Sequence, residues 1–139
     1  QARDAYGYVL IDSPAGLGPG FRLAVCGADR AIVVAVSDPS SLRDAQRVVT
    51  QLSQLETIHL VVNRVRPRLL RRQNTTIDDA MDTAGLPLLG LVPEDPKVVL
   101  AATEGRPLAQ LGARRGAVRA YENIARRLTG QPVALMGLR

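Results

Sequence analysis

The chain has no tryptophan, one phenylalanine, one cysteine, one histidine and, among its 18 basic residues, a single lysine, Lys97. Each shortage excludes something. Cys26 alone cannot close an internal disulfide, and with only His59 to join it a zinc site of Cys/His type is out of reach. No apolar run approaches the roughly 18–20 residues of a membrane span, and no basic-then-apolar start resembles a signal peptide. With 46% hydrophobic and 22% charged residues, wholesale disorder is excluded too, and 139 residues suit one ordinary domain better than two. The composition reads as that of a cytosolic domain.

What is present begins with charge. The formal net charge is +5, and 17 of the basic residues are arginine. Such a balance fits an anionic partner or a plain preference for arginine, because net charge bears on association rather than on fold. Arg64, Arg66, Arg68, Arg71 and Arg72 cluster, but few aromatics accompany them for base stacking, so a solvated loop is expected rather than a nucleic-acid surface. The first residue is Gln1, and the hydrophobic pattern is complete by Tyr8. A removed leader or a piece of a longer protein is the expectation.

Short β-branched runs alternate with longer amphipathic stretches. The runs are Tyr8–Ile11, Ala31–Val36, Ile58–Asn63 and Leu88–Val92. Without polar alternation, they suit strands buried on both faces. Over Ser41–Leu55 the apolar positions Leu42, Ala45, Val49 and Leu52 share one helical face, with Ser41 and Asp44 in a capping arrangement. Ala117, Tyr121, Ile124 and Leu128 repeat the spacing before Gly130 and Pro132, and Gly112 and Gly116 bound that helix from the other side. Cys26, among Leu23, Ala24 and Val25, reads as a small core hydrophobe. His59 reads as a structural histidine of its strand. Strand–helix alternation of this kind predicts an α/β fold with a doubly wound, mostly parallel sheet.

In such a sheet ligands bind beyond the carboxyl ends of the strands. Asp12, Asp38, Asn63, Glu94 and Asp95 all follow strand candidates, so that edge is where chemistry is expected. Four apolar residues followed by Asp12 have the shape of a Walker B strand, whose carboxylate can hold the water shell of Mg²⁺. The same pattern also fits an ordinary strand-end turn.

The order of the segments narrows this. Asp12-Ser13-Pro14-Ala15-Gly16 comes first, followed by Gly27 to Val34 and Ser41-Leu42-Arg43-Asp44-Ala45. Val62-Asn63-Arg64-Val65-Arg66-Pro67, Gly85 to Gly90 and Val92-Pro93-Glu94-Asp95 complete it. From about Tyr8 to Gly130 the chain strongly resembles the MinD-type septum-site ATPases, part of the deviant-Walker MinD/ParA branch of P-loop NTPases.

The resemblance implies an ATP-driven switch that dimerises, associates with an anionic membrane and positions the division septum. It implies ATP and Mg²⁺ as cofactors, a cytoplasmic protein peripheral to the inner membrane, and MinC- or MinE-like partners. Position by position, Asp12 matches the catalytic, Mg²⁺-positioning aspartate. Ser13, Pro14 and Gly16 match the family's nucleotide-binding switch II loop, which could move with the presence of a γ-phosphate. Asn63 matches the adenine-binding asparagine, and Pro93, Glu94 and Asp95 match the loop lining the adenine pocket. Ser41, Arg43 and Asp44 match a dimer and partner surface. Asn63 also fits a strand-capping turn residue, and Asp44 also fits plain surface capping.

Two departures fall on the partner surface: Gln46 stands where a second acidic residue is usual, and Ser37-Asp38-Pro39 where a proline–glutamate turn is common. The larger departure is that no Gly-Lys-Ser/Thr loop occurs in the sequence. Residues 131–139 resemble a linker and are too short to bind a bilayer stably. The expectation is therefore residues 1–130 as the C-terminal portion of an ATPase domain, P-loop NTPase-like but lacking the P-loop portion, with 131–139 as a tail. The chain alone is then expected to be inactive. A ParA- or flagellar-type positioning ATPase and a non-catalytic binding module are the alternatives.

Overall fold

The computed structural model describes residues 2–72, 77–111 and 115–136. Gly112 and the last three residues of the tail lie outside the described residues, as do the side chains of Arg71 and Arg72. In chain order the elements are α1 (Ala2–Ala5), α2 (Pro19–Cys26), β1 (Arg30–Val36), α3 (Pro39–Thr50), β2 (Thr57–Val65) and α4 (Pro67–Arg72). There follow α5 (Ile77–Ala84), β3 (Leu88–Pro93), α6 (Pro96–Thr103), a 3₁₀ turn (Leu108–Leu111) and α7 (Gly116–Leu128).

The three strands form a parallel sheet in the order β1-β2-β3. Their β-branched and leucine side chains alternate between two cores. Val33, Ala35, Leu60, Val62 and Leu91 point into the first, closed by α3 and α5 through Leu42, Ala45, Ala80 and Ala84. Val61, Leu89 and Val92 point into the second, closed by Ala117, Ala120 and Ile124 of α7. Helices on both faces make the sheet doubly wound, as its strand–helix alternation predicts.

Helix α7 lies close to β3 because Gly90 leaves room for it: a Cβ at that position would overlap the Ile124 side chain. Arg127 then fastens the segment after the helix. Its guanidinium donates to the carbonyls of Leu89 at 2.5 Å, Val133 at 2.8 Å and Ala134 at 2.5 Å. One side chain thus ties the tail to both α7 and β3.

Four sequence expectations need correction. Tyr8–Ile11 is not a strand; its residues take no part in the sheet, and Leu10 is 87% exposed. An apolar run becomes a strand only where it meets a neighbour's ladder, and a cleft keeps this one off the unpaired edge of β1. Helix α3 ends at Thr50, and its N-cap is Asp38, which accepts from the amides of Ser40 and Ser41. Pro39 at the first helical position favours that start over one at Ser41. Cys26 is exposed, because only Phe21 and Val25 of α2 lean on the first core. Tyr121 is 43% exposed, its place on the inner face of α7 being taken by Ala117 and Ala120.

A cleft of about 900 Å³ separates residues 9–16 from β1. Along it Ile32 and Val34 expose apolar side chains on the face of β1 that α7 does not reach, and the outer edge of β1 pairs with no described strand. An unpaired apolar edge invites association with other chains. The purified 139-residue chain is therefore expected to run as oligomers or aggregates in size exclusion with light scattering. A monodisperse monomer with cooperative unfolding would contradict this.

Candidate functional site

Parallel pairing brings the carboxyl ends of β1, β2 and β3 to one edge. Val36 lies opposite Asn63, and Val65 opposite Pro93. Between Val62 and Val65 the register slips by a residue, because β2 advances three positions while β3 advances two. Arg64 absorbs the slip with a left-handed φ of +51°, a conformation that costs a non-glycine residue about 1–3 kcal/mol. The Asn63 side chain supports it: its Oδ1 accepts the Arg64 N–H at 2.9 Å. That leaves the Nδ2 donors of Asn63 without an acceptor among the described residues.

The kinked end of β2 grips the end of β3. The backbone N–H of Glu94 donates to the Val65 carbonyl at 3.0 Å. The Glu94 carboxylate accepts a fork from Arg66, through Nε to Oε2 and through Nη2 to Oε1 at 2.7 Å, and Arg64 Nη2 stands 3.4 Å from Oε1. Hydrogen bonding from Arg66, with the charges of both arginines, holds the Glu94 carboxyl below the usual carboxylate range and raises Arg66. Arg64 and Arg66 are thus ion-pair partners of Glu94 and remain solvent-exposed, as expected of that cluster.

Asp95 continues the chain with a second double contact. Its Oδ1 accepts the Lys97 N–H at 3.0 Å and caps α6, while Oδ2 accepts the Ala117 N–H at 3.1 Å at the start of α7. Gly116 allows the approach, since a Cβ there would overlap Oδ2. One carboxylate therefore serves two helix N-termini, each a favourable place for negative charge.

The other candidates lie elsewhere. Asp12, Ser13, Pro14 and Gly16 line the cleft beside β1. Pro14 sits close to Gly20, where an added Cβ would stand 2.7 Å from its Cγ, and Gly16 takes φ +85°. Among the described residues no hydrogen bond or ion pair joins this loop to Asn63, Glu94 or Asp95. Ser41 turns inward, its Oγ accepting the Val36 N–H at 3.1 Å. Arg43 is exposed, and Asp44, exposed in the middle of α3, stands 3.4 Å from Arg47. Asp38, the residue that does cap α3, has its pKa lowered by the Ser40 hydroxyl first and the Ser41 amide next.

Asp-Pro pairs at 38–39 and 95–96 are readable cap signals. The Arg66–Glu94 fork and the Asp95–Ala117 contact span 28 and 22 residues, and no local pattern announces them.

No protein-family model matches the chain. Individual proteins match closely. The chain is 41% identical to the septum site-determining protein MinD of Bacillus subtilis over 99% of its length, and 37% identical to that of Synechocystis over 98%. The MinD cell division protein of Aquifex aeolicus superposes with a TM-score of 0.89 at 34% identity, over 97% of the chain and 59% of that structure. The chain is a MinD homologue over nearly its whole length. It spans about half the length of the curated MinD relatives it matches, 52% and 53% for the two named. Two further solved MinD structures are a MinC:MinD complex from Aquifex aeolicus (TM-score 0.90, 34% identity, 97% of the chain and 57% of that structure) and a Pyrococcus horikoshii MinD with Mg-ADP (0.79, 28%, 91% and 52%). A ParA family ATPase at 17% identity shares the fold.

The depressed Glu94 pKa gives this MinD homologue a definite pH response. The stabilisation from the fork is complete above the ordinary glutamate pKa of about 4.3 and is lost as pH falls through the lower folded value. In a carboxyl NMR titration, Arg66→Ala is expected to move the Glu94 midpoint upward towards the ordinary value. An unchanged midpoint would show that Arg66 does not hold it.

Proposed function

We propose that the chain works as the C-terminal portion, residues 1–130, of a MinD-type ATPase domain that positions the division site, with 131–139 as its tail. The observation that carries this reading is the match to MinD proteins at 37–41% identity across nearly all of the chain. The edge geometry supports a nucleotide site. The amide donors of Asn63, which meet no acceptor among the described residues, can meet one on the edge of an adenine ring, and the Pro93–Asp95 loop stands beside them at the next strand end.

Mg²⁺ fits on one condition. Among the described residues no group of three or more His, Cys, Asp or Glu side chains could hold a metal ion. Asp12 is an exposed carboxylate on a loop. Mg²⁺ commonly binds through one or two carboxylates together with waters and nucleotide phosphates, so Asp12 would hold it through water when a nucleotide is present. Bound Mg²⁺ would neutralise charge on the transferred phosphoryl group. Asp12 would orient that water shell, Ser13, Pro14 and Gly16 would line the phosphate side, and Asn63 would select the base.

The sequence has no Gly-Lys-Ser/Thr loop to cradle phosphates. The reading therefore gives the 139-residue chain weak ATP binding and no turnover of its own. The Aquifex MinC:MinD complex favours a MinC-like partner, met through the exposed side of α3 at Arg43 and Asp44, with Ser41 supporting the turn that presents it. ATP-dependent homodimerisation and membrane association belong to the same proposal. No helix among the described residues is long and apolar enough to cross a membrane.

The test supplies the chain with the N-terminal part of a MinD domain and measures Mg²⁺-dependent ATP hydrolysis. Activity is expected only in the combination. Asp12→Ala is expected to lower it on the order of a hundredfold. Asn63→Ala is expected to reduce the preference for ATP over GTP by about tenfold. Turnover by the 139-residue chain alone, or selectivity untouched by Asn63→Ala, would contradict these assignments.

A further inference from the structure

We infer that Glu94 and Asp95 do not touch the nucleotide but position the base-side loop, each through a contact that fixes its carboxylate on a neighbouring element. The inference rests on the nucleotide-binding reading above and refines it. A carboxylate oxygen can accept more than one hydrogen bond, but charge-assisted and backbone donors fix where it points. Glu94 has both oxygens taken by the Arg66 fork, with Arg64 against Oε1 as well. Asp95 has one oxygen on the Lys97 amide and the other on the Ala117 amide. All four carboxylate oxygens are thus held by donors of the chain itself, from Arg64, Arg66 and the amides of Lys97 and Ala117.

The contacts run in opposite directions. Glu94 pulls the loop back towards the end of β2, where Asn63 sits one residue before the left-handed Arg64. Asp95 pulls it forward onto the first turns of α6 and α7, and α7 is itself seated on β3 at Gly90. Pro93 and the backbone of Glu94 are thereby held between two fixed points. Asn63 and Pro93 remain to face a base, at a separation set by side chains that lie outside it.

The sharpest test inverts the fork. Ligand-observed NMR on the 139-residue chain gives dissociation constants for ATP and for GTP, a method suited to weak binding and tolerant of oligomers. Glu94→Arg is expected to reduce the ATP-over-GTP preference about fivefold, the worth of one good hydrogen-bonded contact. Adding Arg66→Glu, which rebuilds the fork with its polarity reversed, is expected to restore most of it. A carboxylate that touched the base could not be restored this way, because an arginine would stand in its place.

Milder variants cover a folding failure of the inverted pair. Arg66→Ala and Glu94→Gln are expected to give equal losses that do not add in the double variant. For Asp95 the counterpart is Gly116→Ala, which drives the carboxylate off the Ala117 amide without altering it. It is expected to match the loss seen in Asp95→Ala. An inverted fork that stays as poor as Glu94→Arg alone would overturn the inference. So would additive losses, or a Gly116→Ala chain with its preference intact while Asp95→Ala has lost it. Those failures leave the nucleotide reading standing. No ATP binding by the unsubstituted chain would end that reading and this inference with it.

Discussion

The parallel pairing of β2 with both of its neighbours is the constraint from which the rest follows. Each connection must cross from one end of the sheet to the other, so helices pack on both faces, though α7 leaves one side of β1 open, and the strands are apolar on both sides. All three carboxyl ends then meet at one edge, where the end of β2 carries Asn63 and the turns after β1 and β3 carry Asp38, Glu94 and Asp95. The strand pairing builds the core and the candidate site at once.

Local interactions refine that edge. A register slip of one residue before Val65 rotates Arg64 into the left-handed region, and Asn63 stabilises the kink with the oxygen of its own amide. Arg66 then meets Glu94 across the strands, and Asp95 ties the following turn to two helices. These are surface polar contacts, individually weak in water. Their effect comes from acting together on a segment of three residues whose backbone is already fixed at Val65.

Much of the fold is legible in the sequence because it rests on local pattern. Ala31–Val36, Ile58–Asn63 and Leu88–Val92 read as strands from composition, although the first exposes one face at Ile32 and Val34, and α7 reads as a helix from spacing. Tyr8–Ile11 carries the same composition and is no strand, because pairing is a property of two segments and not of one. The position of Asn63, Glu94 and Asp95 at the sheet edge is legible from strand ends. Their partners are not. Arg66 with Glu94 and Asp95 with Ala117 are distant in sequence, and they meet only through the β2–β3 register and the seating of α7 on Gly90. The clearest functional signal, the ordered series of motifs from Asp12 to Asp95, agrees with the MinD relatives found along nearly the whole chain.

The central claim is that the carboxyl edge of β2 and β3 recognises a purine base, while the loop at Asp12 meets phosphates. Saturation-transfer NMR with ATP tests it most directly, by asking which ligand protons lie against the protein. The account predicts strongest transfer to the adenine H2 and H8 protons, less to the ribose, and loss of the adenine signal in Asn63→Ala. Transfer that is uniform across the nucleotide, or an adenine signal unchanged by Asn63→Ala, would contradict it.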